Sequence, residues 1–158
     1  MASKRPRRGE KVLLPTERLA LTLDSTLRSV ELADRMVRRF CGKAGCSEQQ
    51  QSEISLAVRE SVANAVLHGN GCDAAKKVLL VVEVRDSRLA ISVRDEGKGF
   101  DPATLPDPCD PLNLLRDRGR GVFLVNASMD EVTMRLGSSG MEVTMVKFLS
   151  TRAEEESK

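Results

Sequence analysis

Ten consecutive residues, Glu60-Ser61-Val62-Ala63-Asn64-Ala65-Val66-Leu67-His68-Gly69, restrict the possible folds of this chain more than any other stretch. At helical spacing Val58, Val62 and Val66 form one apolar stripe. Glu60, Asn64 and His68 form a second stripe, turned about 200° from the first. The helix that carries both must bury one side and leave a carboxylate, an amide and an imidazole on the other. Its beginning and end are also written in the sequence. Ser47 with Gln50 three residues on has the form of a capping box, the apolar pattern runs from Ile54 to Leu67, and Gly69-Asn70-Gly71 stops it. By itself a polar stripe of this kind is the solvated face of an amphipathic helix. The rest of the chain gives it another meaning.

Leu19, Leu21 and Leu23 alternate with Ala20 and Thr22, the period of a half-buried strand, and Asp24-Ser25-Thr26 offers an N-cap for a helix whose Val30, Ala33, Val37 and Phe40 recur as far as Gly42. After the central helix, Val78 to Val84 and the alternating Leu89, Ile91 and Val93 predict a hairpin around Asp86-Ser87. Val93 leads into Asp95-Glu96-Gly97-Lys98-Gly99-Phe100. From Asp101 to Arg120 the pattern vanishes and four of the six prolines gather, which reads as a lid. The lid runs into Gly119-Arg120-Gly121 and a short apolar helix, Val122 to Met129. Val132-Met134-Leu136 and Met141-Val143-Met145, joined by Gly137-Ser138-Ser139-Gly140, close the chain as two strands. This order predicts an α+β sandwich with helices on one face of a largely antiparallel sheet.

At 158 residues and 41 % hydrophobic composition, the chain is expected to form one domain, residues 11–149, between a disordered basic tail (1–10) and a disordered acidic tail (150–158). Lys4, Arg5, Arg7 and Arg8 together exceed the net charge of +2, so the basic signal is a tail and not a groove. Four phenylalanines without tyrosine or tryptophan give little support to stacking on single-stranded nucleic acid, and no direct nucleic-acid partner is expected. Cys41, Cys46, Cys72 and Cys109 are irregularly spaced beside a single histidine, so neither a zinc site nor a disulfide framework is indicated. No apolar run approaches the roughly 18 residues of a membrane span, and none follows the basic start as in a secretory signal. The expected location is the cytoplasm, without a membrane partner.

Taken singly, Asp95-x-Gly-x-Gly is an ordinary strand exit and Gly119-x-Gly121 an ordinary helix entry. Neither is a dinucleotide fingerprint or a P-loop. In combination they are more specific. A helix with Glu-x-x-x-Asn, a strand ending in Asp-x-Gly-x-Gly, and a loop running into Gly-x-Gly resemble the ATP-binding fold of DNA gyrase, heat-shock 90 chaperones, mismatch-repair ATPases and histidine kinases. The resemblance covers roughly Leu19 to Phe148. It implies the histidine-kinase-like ATPase (Bergerat) fold, a two-layer α/β sandwich with a mixed, largely antiparallel sheet. The only histidine, His68, lies inside the motif, so the chain is not a complete sensor kinase. Glu60 to Gly69, Asp95 to Pro102 and Met129-Asp130-Glu131-Val132 are closer to the anti-sigma factor serine kinases.

That resemblance implies ATP and Mg²⁺ as cofactors, a sigma factor and an anti-anti-sigma factor as partners, and a homodimer. Asn64 would present an oxygen to Mg²⁺, Asp95 would accept from the adenine amino group, and Gly97 and Gly99 would let backbone approach the base. The amides of Gly119, Arg120, Gly121 and Val122 open a helix N-terminus suited to phosphate, with Arg118 and Arg120 adding guanidinium groups. Glu60, one turn from Asn64, is placed to take the proton of an incoming hydroxyl. His68, Phe100 and Thr144 complete the expected nucleotide contacts. Met141 stands where relatives often carry a threonine, leaving Thr144 as the hydroxyl on that strand. The expected function is a serine kinase that also sequesters a sigma factor. The alternative is a regulatory module of the same fold that binds ATP without transferring phosphate.

Overall fold

Five strands, β1 (Glu17–Asp24), β2 (Lys77–Arg85), β3 (Arg88–Arg94), β4 (Glu131–Gly137) and β5 (Gly140–Phe148), form one sheet in the order β1-β2-β3-β5-β4. The computed structural model describes residues 16–98 and 120–150. All four pairings between the described strands are antiparallel, so the sheet is less mixed than the resemblance implied. The two-residue periodicity read from the sequence sets the register. Leu21, Leu80, Val93, Val143 and Met134 lie in one row across all five strands, on the face that the helices cover. The adjacent row, Ala20, Val81, Ser92, Thr144 and Thr133, points to the opposite face.

The helical layer consists of α1 (Arg28–Lys43), α2 (Glu48–Asn64) and α3 (Arg120–Ser128). Ile54, Val58, Val62 and Val66, the apolar stripe of the central helix, are buried against the sheet with Val37, Leu80 and Ile91. Withdrawing each such aliphatic side chain from water contributes roughly 1.5–3 kcal/mol, so this stripe sets the position of α2 and of everything on its other side. The capping box forms as the sequence predicts: the Gln50 amide donates to Ser47 Oγ and the Ser47 amide to Gln50 Oε1. The expected cap of α1 does not form. Its first turn has no side-chain cap, because the Asp24 carboxylate is taken by Lys77 and the Asp24 carbonyl accepts from Ser29 Oγ instead.

Between α1 and α2 the nearly buried Asp34 accepts from Ser55, Arg38 and Arg59, and Arg59 also reaches Glu31. The hydrogen bond and charge of Arg59 hold the Glu31 carboxyl below its ordinary range. The β2–β3 hairpin turns on Asp86 and Ser87, both at positive φ, the two-residue turn whose twist matches its strands. The expected lid, apart from Arg120 at its end, and both expected tails, apart from Ser150, lie outside the described residues.

Candidate functional site

The central helix does not remain α-helical to its glycine. Asn64 is its last α-helical residue, and Ala65–Gly69 form a π-helical turn, with the Asn70 amide donating to the Ala65 carbonyl at 2.8 Å. Such a turn is wider and rotates less per residue than the α-helix before it. His68 is half-buried on this turn and is not among the residues that line the cleft described below.

The turn delivers Gly69 and Asn70 to the exit of β3. Asp95, the first residue beyond β3, keeps the inward alternation of Ile91 and Val93 and is 4 % exposed. Its Oδ1 accepts from the amides of Gly97 (2.9 Å) and Met141 (3.1 Å), and its own amide donates to the Met141 carbonyl at 3.1 Å. Its Oδ2 lies against Gly69, where a Cβ would stand 2.1 Å away. A Cβ on Gly97 would come within 1.5 Å of the Gly69 carbonyl oxygen, and one on Gly140, at φ +148°, within 2.0 Å of the Asp95 carbonyl. Backbone from three segments therefore closes around one carboxylate, at distances that only glycine permits.

Asn70 joins these segments. Its side chain donates to the Lys77 carbonyl (3.0 Å) and accepts from the Glu96 amide (2.8 Å), while Glu96 Oε2 accepts from the Lys77 amide (2.9 Å). Asn70 is 3 % exposed, and with both bonds made it fixes the backbone that carries Asp95. Sequence reasoning took Asn70 only as part of a helix stop and Gly140 only as a turn residue. The extra polar residue between Gly69 and Gly71 was the available signal.

At the other end of the same cleft, the start of α3 passes against the polar side of α2. A Cβ on Gly121 would stand 2.8 Å from Glu60 Oε2 and 2.9 Å from Asn64 Nδ2. Asn64, Ala65, Asp95, Val122, Met141 and Val143 all line this cleft. Asn64, Asp95 and Val122 thus line one space, with Gly121 against Glu60 and Asn64 beside it, Gly97 packed on Gly69 behind Asp95, and Arg120 exposed at the head of α3. It does not bring Thr144 there. Thr144 belongs to the row with Ser92 and Thr133 on the far face of the sheet, and its neighbour Val143 lines the cleft instead. One-residue alternation makes this placement unavoidable once Met141 is turned inward. Gly99, Phe100, Arg118 and Gly119 lie outside the described residues.

The far end of α3 is held tightly. Lys147 Nζ donates to the Ser128 carbonyl at the helix terminus (2.9 Å) and pairs with Glu53 of α2, while Asp130 Oδ2 accepts from the Phe148 amide (2.7 Å). For Glu53, burial acts to raise the carboxyl pKa, but the bonds from Lys147 and Gln49 outweigh it and leave the group below its ordinary value. Among the described residues no cluster of three or more histidine, cysteine or acidic side chains could hold a metal by itself.

In this cleft a buried aspartate clasped by glycines stands beside an acid and an amide that face a helix start, the arrangement that the resemblance to the ATP-binding fold leads one to expect. The family comparison agrees: the chain belongs to the histidine kinase-like ATPase domain family, whose model matches residues 23–147. Its curated relatives include the serine-protein kinase RsbW of Staphylococcus epidermidis, 29 % identical over 83 % of this chain and 86 % of the relative. The serine-protein kinase RsbW of Bacillus licheniformis is 32 % identical over 70 % of this chain and 72 % of that protein. Among solved structures, the RsbU and RsbW domains of a Mycobacterium tuberculosis protein share the fold with a TM-score of 0.66 at 23 % identity. That match covers 87 % of this chain and 34 % of the solved chain, so the chain spans about a third of that neighbour.

Proposed function

We propose that the protein is an ATP-dependent protein-serine kinase that sequesters a sigma factor and phosphorylates a serine on an anti-anti-sigma partner. The observation that carries the reading is the meeting of Gly121 with both Glu60 and Asn64, in the cleft that Asp95 closes. The chain's similarity to kinases named for serine transfer supports the choice of substrate.

These residues fit Mg-ATP. The Asn64 amide and Glu60 carboxylate offer hard oxygen donors, and the glycines around Asp95 let three backbone segments close on it and hold it in place. Asp95 would hold the adenine amino group, with Oδ1 already fixed by two backbone amides so that Oδ2 keeps one orientation. Asn64 would hold the metal, and the first amides of α3 would face the phosphates. Bound Mg-ATP supplies the phosphoryl group and neutralises the charge that develops as it transfers. Glu60 orients the serine hydroxyl of the partner and takes its proton. Val122, Met141 and Val143 keep the base end apolar.

On this reading the protein works as a homodimer in the cytoplasm. Among the described residues no helix is long and apolar enough to cross a membrane. The decisive experiment incubates the protein with γ-labelled ATP, Mg²⁺ and a candidate anti-anti-sigma antagonist, and follows label on the antagonist. Transfer that chelation of the metal abolishes is the expected result. ATP binding by calorimetry without any transfer would instead indicate a regulatory module that binds nucleotide and does no chemistry.

A further inference from the structure

The corner between α1 and α2 contains two thiols that the nucleotide site does not use. At the end of α1 the Cys46 amide donates to the Cys41 carbonyl (3.0 Å) and the Gly45 amide to the Gly42 carbonyl (3.4 Å), with Gly45 at φ +83°. This is the Schellman helix ending, in which the two residues joined by the outer bond bring their side chains into contact. Apolar groups ordinarily fill those positions. Here both are cysteines, both are free, and both belong to the same buried cluster.

The two are not equivalent. Cys41 is fully buried in the core, whereas Cys46, also buried at 7 % exposure, borders an open surface cavity of about 400 Å³ together with Gly42, Ser47 and Gln51. The hydrogen bond from Cys41 holds the Cys46 thiol below its ordinary range, while the same contact and burial push the Cys41 thiol up. Thiolate character and access therefore coincide on Cys46.

The geometry points to a reversible thiol–disulfide couple at Cys41 and Cys46, oxidised by a hydroperoxide and reduced by a dithiol. Cys46 thiolate attacks the peroxide oxygen, the O–O bond breaks, and hydroxide leaves, protonated by solvent to water; the sulfur becomes a sulfenic acid. The Cys41 thiol then attacks that sulfur, forms the S–S bond and releases a second water with its own proton. The sum is two thiols and one hydrogen peroxide giving one disulfide and two waters. Because the resolving thiol occupies the paired position of the same helix ending, its attack competes with further oxidation of the sulfenic acid.

The test uses the full chain as Cys72→Ser/Cys109→Ser, which leaves only this pair. Treatment with hydrogen peroxide should remove both free thiols, lower the monomer mass by about 2 Da and be reversed by dithiothreitol. Adding Cys41→Ser should instead give a sulfenic acid that dimedone traps. Adding Cys46→Ser should slow peroxide consumption by at least about tenfold relative to the Cys41→Ser variant. Both thiols surviving excess peroxide, a disulfide-linked dimer, or equal reactivity of the two single-thiol variants would overturn the proposal. Circular dichroism of each variant before oxidation separates a loss of reactivity from a loss of fold.

Discussion

The two ends of the cleft are built differently. Around Asp95 the contacts are backbone to backbone or backbone to carboxylate, and the side chain of Asn70 ties the post-helix loop to the exit of β3 and the start of β2. Around Glu60 and Asn64 the neighbour is the first turn of α3, which meets two side-chain tips. Backbone contacts inside a sheet exit cannot shift without disturbing strand pairing, whereas side-chain tips rotate at little cost. The Asp95 end is thus held by backbone, whereas the Glu60 end meets only side-chain tips, beside a helix whose far terminus Lys147 anchors. On the proposed function, a site that holds nucleotide firmly and then admits a partner's serine would use this asymmetry.

Substituting Glu60 gives the largest expected effect and separates chemistry from binding. Glu60→Gln should still bind ATP, while phosphate transfer to the antagonist falls by roughly 10² to 10⁴, the usual weight of a general base. Asn64→Ala in the same assays should lose Mg-ATP binding as well. Unimpaired transfer by Glu60→Gln would remove the acid end from the mechanism.

Adding one methyl group to each end in turn gives the next largest effect. Gly97→Ala drives a Cβ into the Gly69 carbonyl and should cost about 3 kcal/mol or more in urea denaturation, the upper range of overpacking. Gly121→Ala meets only the tips of Glu60 and Asn64 and should cost less than about 1 kcal/mol, while phosphate transfer drops. Equal destabilisation by the two would mean that both ends are equally rigid.

Asn70→Ala leaves the Glu96 amide and Lys77 carbonyl without their partner. A loss of about 1–3 kcal/mol in ATP affinity is expected, together with weaker discrimination between ATP and inosine triphosphate. Asp95→Asn should show the same pattern by removing the charged acceptor, with about one to two decades lost in affinity. If Asn70→Ala lowers stability but leaves base discrimination unchanged, Asn70 is structural only.

The smallest effect concerns the anchor of α3. Glu53 has its pKa lowered in the folded state, so its pair with Lys147 stabilises the fold above the ordinary carboxylate pKa, and that contribution disappears as pH falls through the lowered value. The partly exposed pair is worth no more than about 1 kcal/mol at neutral pH. Glu53→Gln should therefore be slightly less stable than the parent at pH 7, and the gap measured in urea should close below about pH 4. A gap that is constant with pH would assign the difference to packing.

Much of this molecule was legible from one chain of residues because its devices are local. The capping box at Ser47 and Gln50, the alternation that lines up Leu80, Val93 and Val143, and the four-residue spacing of Glu60 and Asn64 depend on nearest neighbours and on helix and strand periods. Where tertiary contacts compete with local preference, reading failed. The cap expected at Asp24 was lost to Lys77 and Ser29, and the helix expected to run to Gly69 widened into a π-turn so that Gly69 could meet Asp95.

By itself the sequence determined the elements, the faces of α2 and the residue types a nucleotide site requires. Tertiary structure alone decided which face of β5 the helices cover, so that Thr144 faces away from the cleft, and that Asn70 ties the Asp95 end together. The physical reason is that a side chain's period along its own element reports which side it takes. Which backbone waits on that side depends on segments distant in the chain, and their approach is limited by the volume of a single Cβ.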